Sequence, residues 1–427
     1  LRILGKGATS LPGKIALWLC PTLLRELAGD VKTIVITGTN GKTTSTRMTE
    51  AALYNAGLGV FSNKSGANLI EGITAAFVMN TNLRMKPKKP WAVIECDEAA
   101  AQRVLAELKP EAVLITNLFK DQSDRYGNEK APMEMIYRGL KACPDAALAV
   151  NADSQLVSYI SERLNNKALY FGMEGRHGRS PDQTEENRCA RCGKKLIFSS
   201  VSYSNLGDWH CSACGRVRST PSVLVRDISE GEILAEIEGK PHIISSALPA
   251  AYNAFNAAGV IAVTLAAGIS AEYGIAAIEH FERGFGRMEK LNLGKLGAEM
   301  ILVKNTAAVN QTLDYIKTID GAKTLVFIQN ARAGDGRDLS WLNDADFEKL
   351  RRIRGIDRIF AAGDCGNALT ERIKKTGIKC EAFPDYDALI NMLNNCESRI
   401  FLLPSYTAML ELHEKLIKRY GGKSFWE

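Results

Sequence analysis

At 427 residues the chain is too long for one ordinary hydrophobic core, so two or three domains are expected. A hydrophobic share of 46% and a charged share of 24% are those of a globular protein and exclude a disordered or fibrous one. The net charge of +6 is modest: it suits a polyanionic ligand or an acidic membrane surface without demanding nucleic acid.

The leading stretch, LRILGKGATSLPGKIALWLC, carries basic residues and an apolar piece, as a signal peptide would. Lys6 and Lys14 interrupt the apolar runs and no A-x-A site follows, so the reading is an amphipathic leading helix on a cytoplasmic protein. No apolar run reaches the roughly 18 residues of a membrane span. Of the ten cysteines four fall in C-x₂-C pairs and six are scattered, which is usage for a reducing compartment.

Next comes VKTIVITGTNGKTT, Val31 to Thr44. The β-branched run Ile34-Val35-Ile36 predicts a buried parallel strand. Thr37 to Gly41 break it with turn-permissive residues, and Lys42-Thr43-Thr44 open a helix over Thr44–Ala56. Strand, Gly-rich turn and helix start make a phosphate cradle of backbone N–H groups, a helix N-terminus and the Lys42 charge. Thr43 is the natural hydroxyl ligand for Mg²⁺. Ile36 stands where G-x-x-x-x-G-K-[ST] has its first glycine, so this is a tighter loop than the general one.

The form TGTNGKTT resembles the ATP loop of the Mur ligases and folylpolyglutamate synthases, which join a carboxylate to an amine through an acyl phosphate. The resemblance makes Thr39, Asn40, Gly41, Lys42, Thr43 and Thr44 the nucleotide-binding residues.

Beyond the loop, short buried strands (Trp91–Ile94, Ala112–Ile115, Ala147–Val150) alternate with helical segments (Ala99–Leu108, Met133–Ala142). Such alternation predicts an α/β, doubly wound, mostly parallel sheet, with ligands beyond the carboxyl ends of its strands. After Ile94 comes Glu95-Cys96-Asp97-Glu98, in which Glu95 resembles the Mur ligase strand-end glutamate that reaches Mg²⁺. After Ile115, TNLFKDQSDRYG resembles the TN…DHLD…G segment of the same ligases. Gln122 stands where they usually have histidine, and Asp121 and Asp124 are candidates for positioning water or substrate.

Residues 172–220 break the alternation. Cys189 and Cys192 form one C-x₂-C pair, Cys211 and Cys214 another 18 residues on, each followed by a glycine, Gly193 or Gly215. This spacing sets four thiolates around one Zn²⁺ and leaves no open coordination position, so a structural zinc ribbon is expected at about 186–218. Its flanks are basic, but the thin aromatic interleaving argues against nucleic-acid binding.

The pattern resumes with strands at Ile233–Ile237 and His242–Ser245. In the helix that follows, Y-N-x-x-N-A-A resembles the Mur ligase helix whose asparagine contacts adenine, which points to Asn253. Phe285-Gly-Arg287-Met-Glu289 resembles the family's GRME hinge and makes Arg287 a candidate for the phosphates. Strands at Met300–Val303, Thr324–Ile328, Arg358–Ala362 and Arg399–Leu403 then predict a second, smaller Rossmann-like domain. The expected division is 1–288, an ATP-binding central domain carrying the ribbon, and 289–427.

The segment Asn330 to Glu348 holds five acids from Asp335 onward around Trp341. Together with the loop and the inserted Cys₄ ribbon, its D-G-x-D-x-S-W-x-x-D-x-D-F-E pattern resembles the MurT family, the Mur ligase-like subunits of lipid II isoglutaminyl synthase. LVKNTAAVNQTLDYI stands where amino-acid-adding Mur ligases have D-Y-A-H-x-P, which argues against a free amino acid as the incoming amine. The phosphate loop comes so early that the N-terminal substrate domain of those ligases is expected to be missing.

The resemblance implies ATP-dependent amidation of the D-glutamate α-carboxylate in the lipid II stem peptide, at the inner face of the cytoplasmic membrane. Lys42 and Glu95 would serve catalysis, with ATP, Mg²⁺ and a structural Zn²⁺ as cofactors. The ammonia would come from a GatD-like glutamine amidotransferase in a heterodimer, its Cys–His pair completed by Asp335 or, second, Asp338. Two other readings stay open: a free-standing Mur or folylpolyglutamate synthase-like amino-acid ligase, and a non-enzymatic zinc-ribbon NTP-binding module acting on nucleic acid.

Overall fold

The computed structural model describes residues 10–63, 67–119, 131–175, 187–229, 231–248, 250–281, 287–332, 335 and 340–421. They form two compact units, one comprising everything described up to Phe281 and the other everything described from Arg287 on.

The first unit opens with two short helices, α1 (Leu11–Leu19) and α2 (Leu23–Ala28), where the sequence predicts a leading helix. Then β1 (Lys32–Thr37) leads into α3 (Lys42–Asn55), which starts two residues before its predicted first residue. Next come β2 (Val60–Ser62), α4 (Ile70–Asn80), β3 (Trp91–Glu95), α5 (Glu98–Leu108), β4 (Ala112–Ile115), β5 (Ala147–Asn151) and β6 (Ala168–Met173). A detached antiparallel hairpin, β7 (Ile197–Tyr203) with β8 (Leu206–His210), is the body of the ribbon. The last strands are β9 (Val223–Ser229), β10 (Glu232–Ile237) and β11 (Lys240–Ser245).

Nine of these strands form one sheet in the order β11-β10-β9-β6-β5-β4-β1-β3-β2. Neighbours from β2 across to β9 are parallel, while β10 and β11 add an antiparallel edge. The parallel strands read as unbroken apolar runs because helices cover both faces. Val35, Ile94, Val113 and Leu148 are fully buried against Leu105, Ile136 and Val157 of those helices. Between them β3 and β4 flank β1, so the loop after β1 lies at the point where strand order reverses. In open α/β sheets that is where a ligand crevice forms.

The second unit has a six-stranded sheet of order β12-β13-β17-β14-β15-β16. Its strands are β12 (Arg287–Leu291), β13 (Ala298–Ile301), β14 (Lys323–Ile328), β15 (Ile356–Ala362), β16 (Glu381–Ala382) and β17 (Arg399–Pro404). All pairs but β12 with β13 are parallel, and Val326, Phe360 and Leu402 are buried under Leu389 and Leu412. Here β14 lies between β17 and β15, so the residues after Ile328 also stand at a reversal of strand order.

Candidate active site and metal site

Ile34, Val35 and Ile36 are wholly buried, and the chain leaves β1 through two left-handed glycines, Gly38 (φ 122°) and Gly41 (φ 89°). A Cβ on Gly38 would stand 2.3 Å from Thr116 Oγ1, and one on Gly41 2.1 Å from Asn256 Oδ1. Both positions therefore require glycine. The segment after β4 holds the loop. Thr39 N donates to the Asn117 carbonyl (2.8 Å) and Asn40 N to Asn117 Oδ1 (2.9 Å), while Asn117 Nδ2 returns a bond to the Asn40 carbonyl (3.1 Å). Phe119 N donates to Thr39 Oγ1 at 3.2 Å.

These bonds refine the expected cradle. Two amides of the turn face Asn117, which leaves those of Gly41 and the α3 start, Lys42 to Thr44, as donors for an anion. The first amides of a helix have no intrahelical acceptor, and no side chain caps this one. The buried hydroxyls of Thr37, Ser45 and Thr46 have no hydrogen-bond partner among the described residues, so further polar capacity surrounds the loop. Thr43 is half-buried on the first turn of the helix, and Thr44 is buried.

Lys42 is buried and folds back over the turn. Its Nζ donates to the Gly38 carbonyl, to Glu98 Oε2 at 3.0 Å and more loosely to the Thr39 carbonyl at 3.4 Å. Burial alone would lower the ammonium's pKa, but the nearby carboxylates of Glu98, Asp97 and Glu95 outweigh it and raise it above the ordinary lysine value. The three acids from the end of β3 to the start of α5 thus converge on Lys42 in different ways. Glu98 pairs with it, and Asp97 caps α5 by accepting from Ala99 N at 3.0 Å. Glu95, also buried, accepts from Asn68 Nδ2 at 3.3 Å, and its backbone is clamped by Asn63. Burial holds the Cys96 thiol between them well above its ordinary pKa, which leaves it protonated. Glu98 received no role from the sequence; its place as the first residue of a helix after an acidic strand end was the available signal.

Asn253 and Asn256 lie one turn apart on the helix Ala251–Ala266, both buried, with Asn256 Nδ2 donating to Asn253 Oδ1 at 3.5 Å. It is Asn256 that abuts the phosphate loop at Gly41, so this helix is seated directly on the nucleotide loop. Asp121, Gln122, Asp124 and Asp338 lie outside the described residues. Arg287 opens β12, in the second unit.

In the second unit Asp335 is buried after β14. Its Oδ1 accepts from Thr407 N (2.7 Å), and its Oδ2 accepts from Thr407 Oγ1 and from Arg332 N (3.3 Å). Thr407 is in the first turn of the helix Tyr406–Tyr420, so the carboxylate sits at a helix N-terminus, where negative charge is favoured. Arg332 turns outward and pairs with Asp364 (2.9 Å) and Glu411.

The four ribbon cysteines converge. Cys189 Sγ lies 3.6 Å from Cys214 Sγ, Cys192 Sγ lies 3.5 Å from Cys211 Sγ, and all four sulfurs fall within 4.8 Å of one another. Each pair sits on a knuckle closed by a left-handed glycine, with Gly193 N donating to the Cys189 carbonyl and Gly215 N to the Cys211 carbonyl. Zn–S bonds of about 2.3 Å in a tetrahedron put sulfurs roughly 3.8 Å apart, so an all-thiol metal site fits here. Burial alone would push the Cys189 thiol up. Arg216, donating to its sulfur, and the backbone amides of Cys192 and Arg191 bring it down to about 6. Arg216 also grips Glu162 and Gln155 on the helix Gln155–Glu162, and Trp209 Nε1 donates to the Ala152 carbonyl at 3.1 Å. Beside them Arg218 pairs with the buried Asp153 at 2.7 Å. The ribbon is bolted to the sheet that carries the phosphate loop. The sequence contained no periodicity that would announce these anchors.

Among the described residues no helix is long and apolar enough to cross a membrane. The Mur ligase middle domain family matches residues 36–264, more than half of the chain, and the MurT ligase C-terminal family matches residues 302–409. The MurT subunit of lipid II isoglutaminyl synthase (glutamine-hydrolyzing) from Streptococcus pneumoniae is 32% identical to this chain, over 97% of this chain and 94% of that one. The MurT subunit of the same synthase from Staphylococcus aureus strain COL is 31% identical, over 99% and 96%. A pseudomurein peptide ligase type C from Methanothermus fervidus, 20% identical, superposes with a TM-score of 0.69 over 91% of this chain and 79% of its own. The strand order around the phosphate loop, the docked Cys₄ ribbon and this full-length similarity agree: the chain belongs to the Mur ligases and, among them, to the MurT family.

Proposed function

We propose that this chain is the ATP-consuming subunit of a lipid II isoglutaminyl synthase, amidating the α-carboxylate of D-glutamate in the stem peptide to D-isoglutamine. The observation that carries the reading is the full-length similarity to two MurT subunits, joined to a Gly-rich loop whose following helix starts with uncapped amides. In this reading the carboxylate attacks the γ-phosphorus of ATP, ADP leaves, and ammonia then displaces phosphate from the acyl phosphate. Lys42 and the α3 amides balance charge on the transferring phosphoryl group. Thr43 and Glu95 are an oxygen donor set suited to Mg²⁺, which would neutralise the phosphate oxygens when bound. Of Thr39 to Thr44, Gly41 to Thr44 are assigned to the phosphates and Thr39 and Asn40 to the turn that Asn117 holds in place; Asn253 is assigned to the adenine end, and Arg287 stays a candidate for the phosphates.

A glutamine amidotransferase subunit of the GatD kind supplies the ammonia. Asp335, with Asp338 as the alternative, is assigned to orient that partner's imidazole. An assay of ATP consumption on the lipid-linked substrate tests the reading. Turnover is expected with glutamine plus the partner and with ammonium chloride alone. Turnover driven by a single amino acid would instead favour a free-standing ligase, and no turnover under any condition would remove the enzymatic reading.

The ribbon is assigned one structural Zn²⁺. Binding free energy at such a site is folding free energy, on the order of 10 kcal/mol in small zinc peptides. We expect elemental analysis to find one zinc per chain, and Cys189→Ser or Cys214→Ser to remove both the metal and most soluble protein. Four thiols freely reactive in a zinc-free native protein would overturn the assignment.

A further inference from the structure

Exposed apolar side chains on a folded protein are ordinary when scattered singly; a cluster of them calls for an occupant. Of the sixteen large hydrophobics exposed among the described residues, eight lie on α1, on or beside α4, or in the segment after it. On α1 these are Ile15, Trp18 (80% exposed) and Leu19 (70%), and beyond them come Met79, Leu83 and Met85. The helices belong together: a Cβ on Gly13 would stand 1.8 Å from the Glu71 carbonyl oxygen, so α1 and α4 touch backbone to backbone. The segment 81–90, TNLRMKPKKP, leaves the end of α4 and is pinned by a bridge between Thr81 and Pro87. It places Leu83, wholly exposed, and Met85 among Arg84, Lys86, Lys88 and Lys89, with no acid of its own. Lys86 pairs with Asp30 at 3.0 Å, whereas Lys14, Arg84, Lys88 and Lys89 form no ion pair among the described residues.

We propose that α1 and the segment 81–90 form a docking surface for an anionic lipid bilayer. Protein interfaces are depleted in lysine, whereas a membrane-surface element combines Trp and Leu that enter the headgroup boundary with Lys and Arg that meet anionic lipid. Long basic side chains beside apolar ones can lay their stems along the acyl boundary and keep their charge at the headgroups. The segment 81–90 is remote from the chemistry. The segment 81–90 feeds the first residue of β3, and the phosphate loop follows the last residue of β1, parallel to β3, so the two lie at opposite edges of the sheet. The inference deepens the proposed function by naming the surface that meets the membrane holding the substrate.

The test is co-sedimentation of the full chain with vesicles free of that substrate, either phosphatidylcholine alone or phosphatidylcholine with phosphatidylglycerol. Binding is expected on the anionic vesicles, falling as salt rises. The pair Arg84→Gln and Lys88→Gln should weaken it about fivefold per charge removed. The pair Trp18→Ser and Leu19→Ser should weaken it by about tenfold or more. Both pairs should retain ammonium-driven turnover of a water-soluble, short-chain substrate, since they alter exposed side chains that belong neither to the loop nor to its partners. Equal binding to both vesicle types, binding that neither pair weakens, or no binding at all would overturn the proposal. So would self-association of the wild type that Trp18→Ser abolishes without any vesicle binding, which would make the surface a protein contact. Because the vesicles hold no substrate, the docking surface and the amidation reading can each fail alone.

Discussion

Lys42→Ala and Thr43→Ala should each abolish amidation even when ammonium salts replace glutamine, because the defect lies in activation by ATP and not in the supply of nitrogen. Removing one preorganised group that meets developing transition-state charge costs at least about a hundredfold in turnover. Two substitutions are needed because they perturb the fold differently. Lys42 is buried against Glu98, and truncating one partner of a buried ion pair leaves an uncompensated charge worth roughly 3–5 kcal/mol of stability. Thr43 is half-buried and leaves no charge uncompensated, so Thr43→Ala should stay folded and still fail. Adding Glu98→Gln to Lys42→Ala should restore stability without restoring turnover. Ammonium-driven activity near the wild-type level in folded Thr43→Ala and in the Lys42→Ala, Glu98→Gln pair would count against the loop assignment.

The second large effect is expected at Asp335. Asp335→Asn should cripple glutamine-driven amidation while ammonium-driven amidation survives. Loss of the orienting carboxylate of a triad can cost up to about 10⁴-fold in turnover. The surroundings of Asp335 suit an orienting role, since it is buried and Thr407 N and Thr407 Oγ1 hold its two oxygens in a fixed plane. Asparagine can keep the bond from Thr407 N and donate to Thr407 Oγ1, losing only the long bond from Arg332 N, so the loop should stay largely ordered while the charge is lost. Glutaminase and amidation are measured side by side on the assembled complex. Equal loss with glutamine and with ammonium would move Asp335 into the ligase chemistry, and full activity with glutamine would pass the role to Asp338.

Much of the fold was legible in the residues because its signals are local. Ile34-Val35-Ile36 and Ala112 to Ile115 are apolar runs too short for helices, and both are buried central strands. The left-handed turns need Gly38 and Gly41, and the ribbon's knuckles carry Gly193 and Gly215, so the glycines mark the loop after β1 and the four-cysteine cluster before any coordinates. The two C-x₂-C pairs did bring four sulfurs together. Less visible were β6 and β9, whose mixed exposure blurs any period; β10 and β11 were expected as strands, but not their antiparallel pairing at the sheet edge.

What only the tertiary structure decided is which side chains meet. Glu98 is the partner of Lys42 across 56 positions of sequence, Asn117 ties the loop from 77 positions away, and Asn256, rather than Asn253, abuts Gly41. Arg216 reaches Glu162 and Gln155 in the same way, anchoring the ribbon to the sheet. Each of these pairs is fixed by a parallel crossover or an inserted hairpin that returns distant segments to one strand end. A residue type and its local pattern can announce a turn, a strand or a ligand, but the partner of a buried charge is chosen by how the strands are ordered.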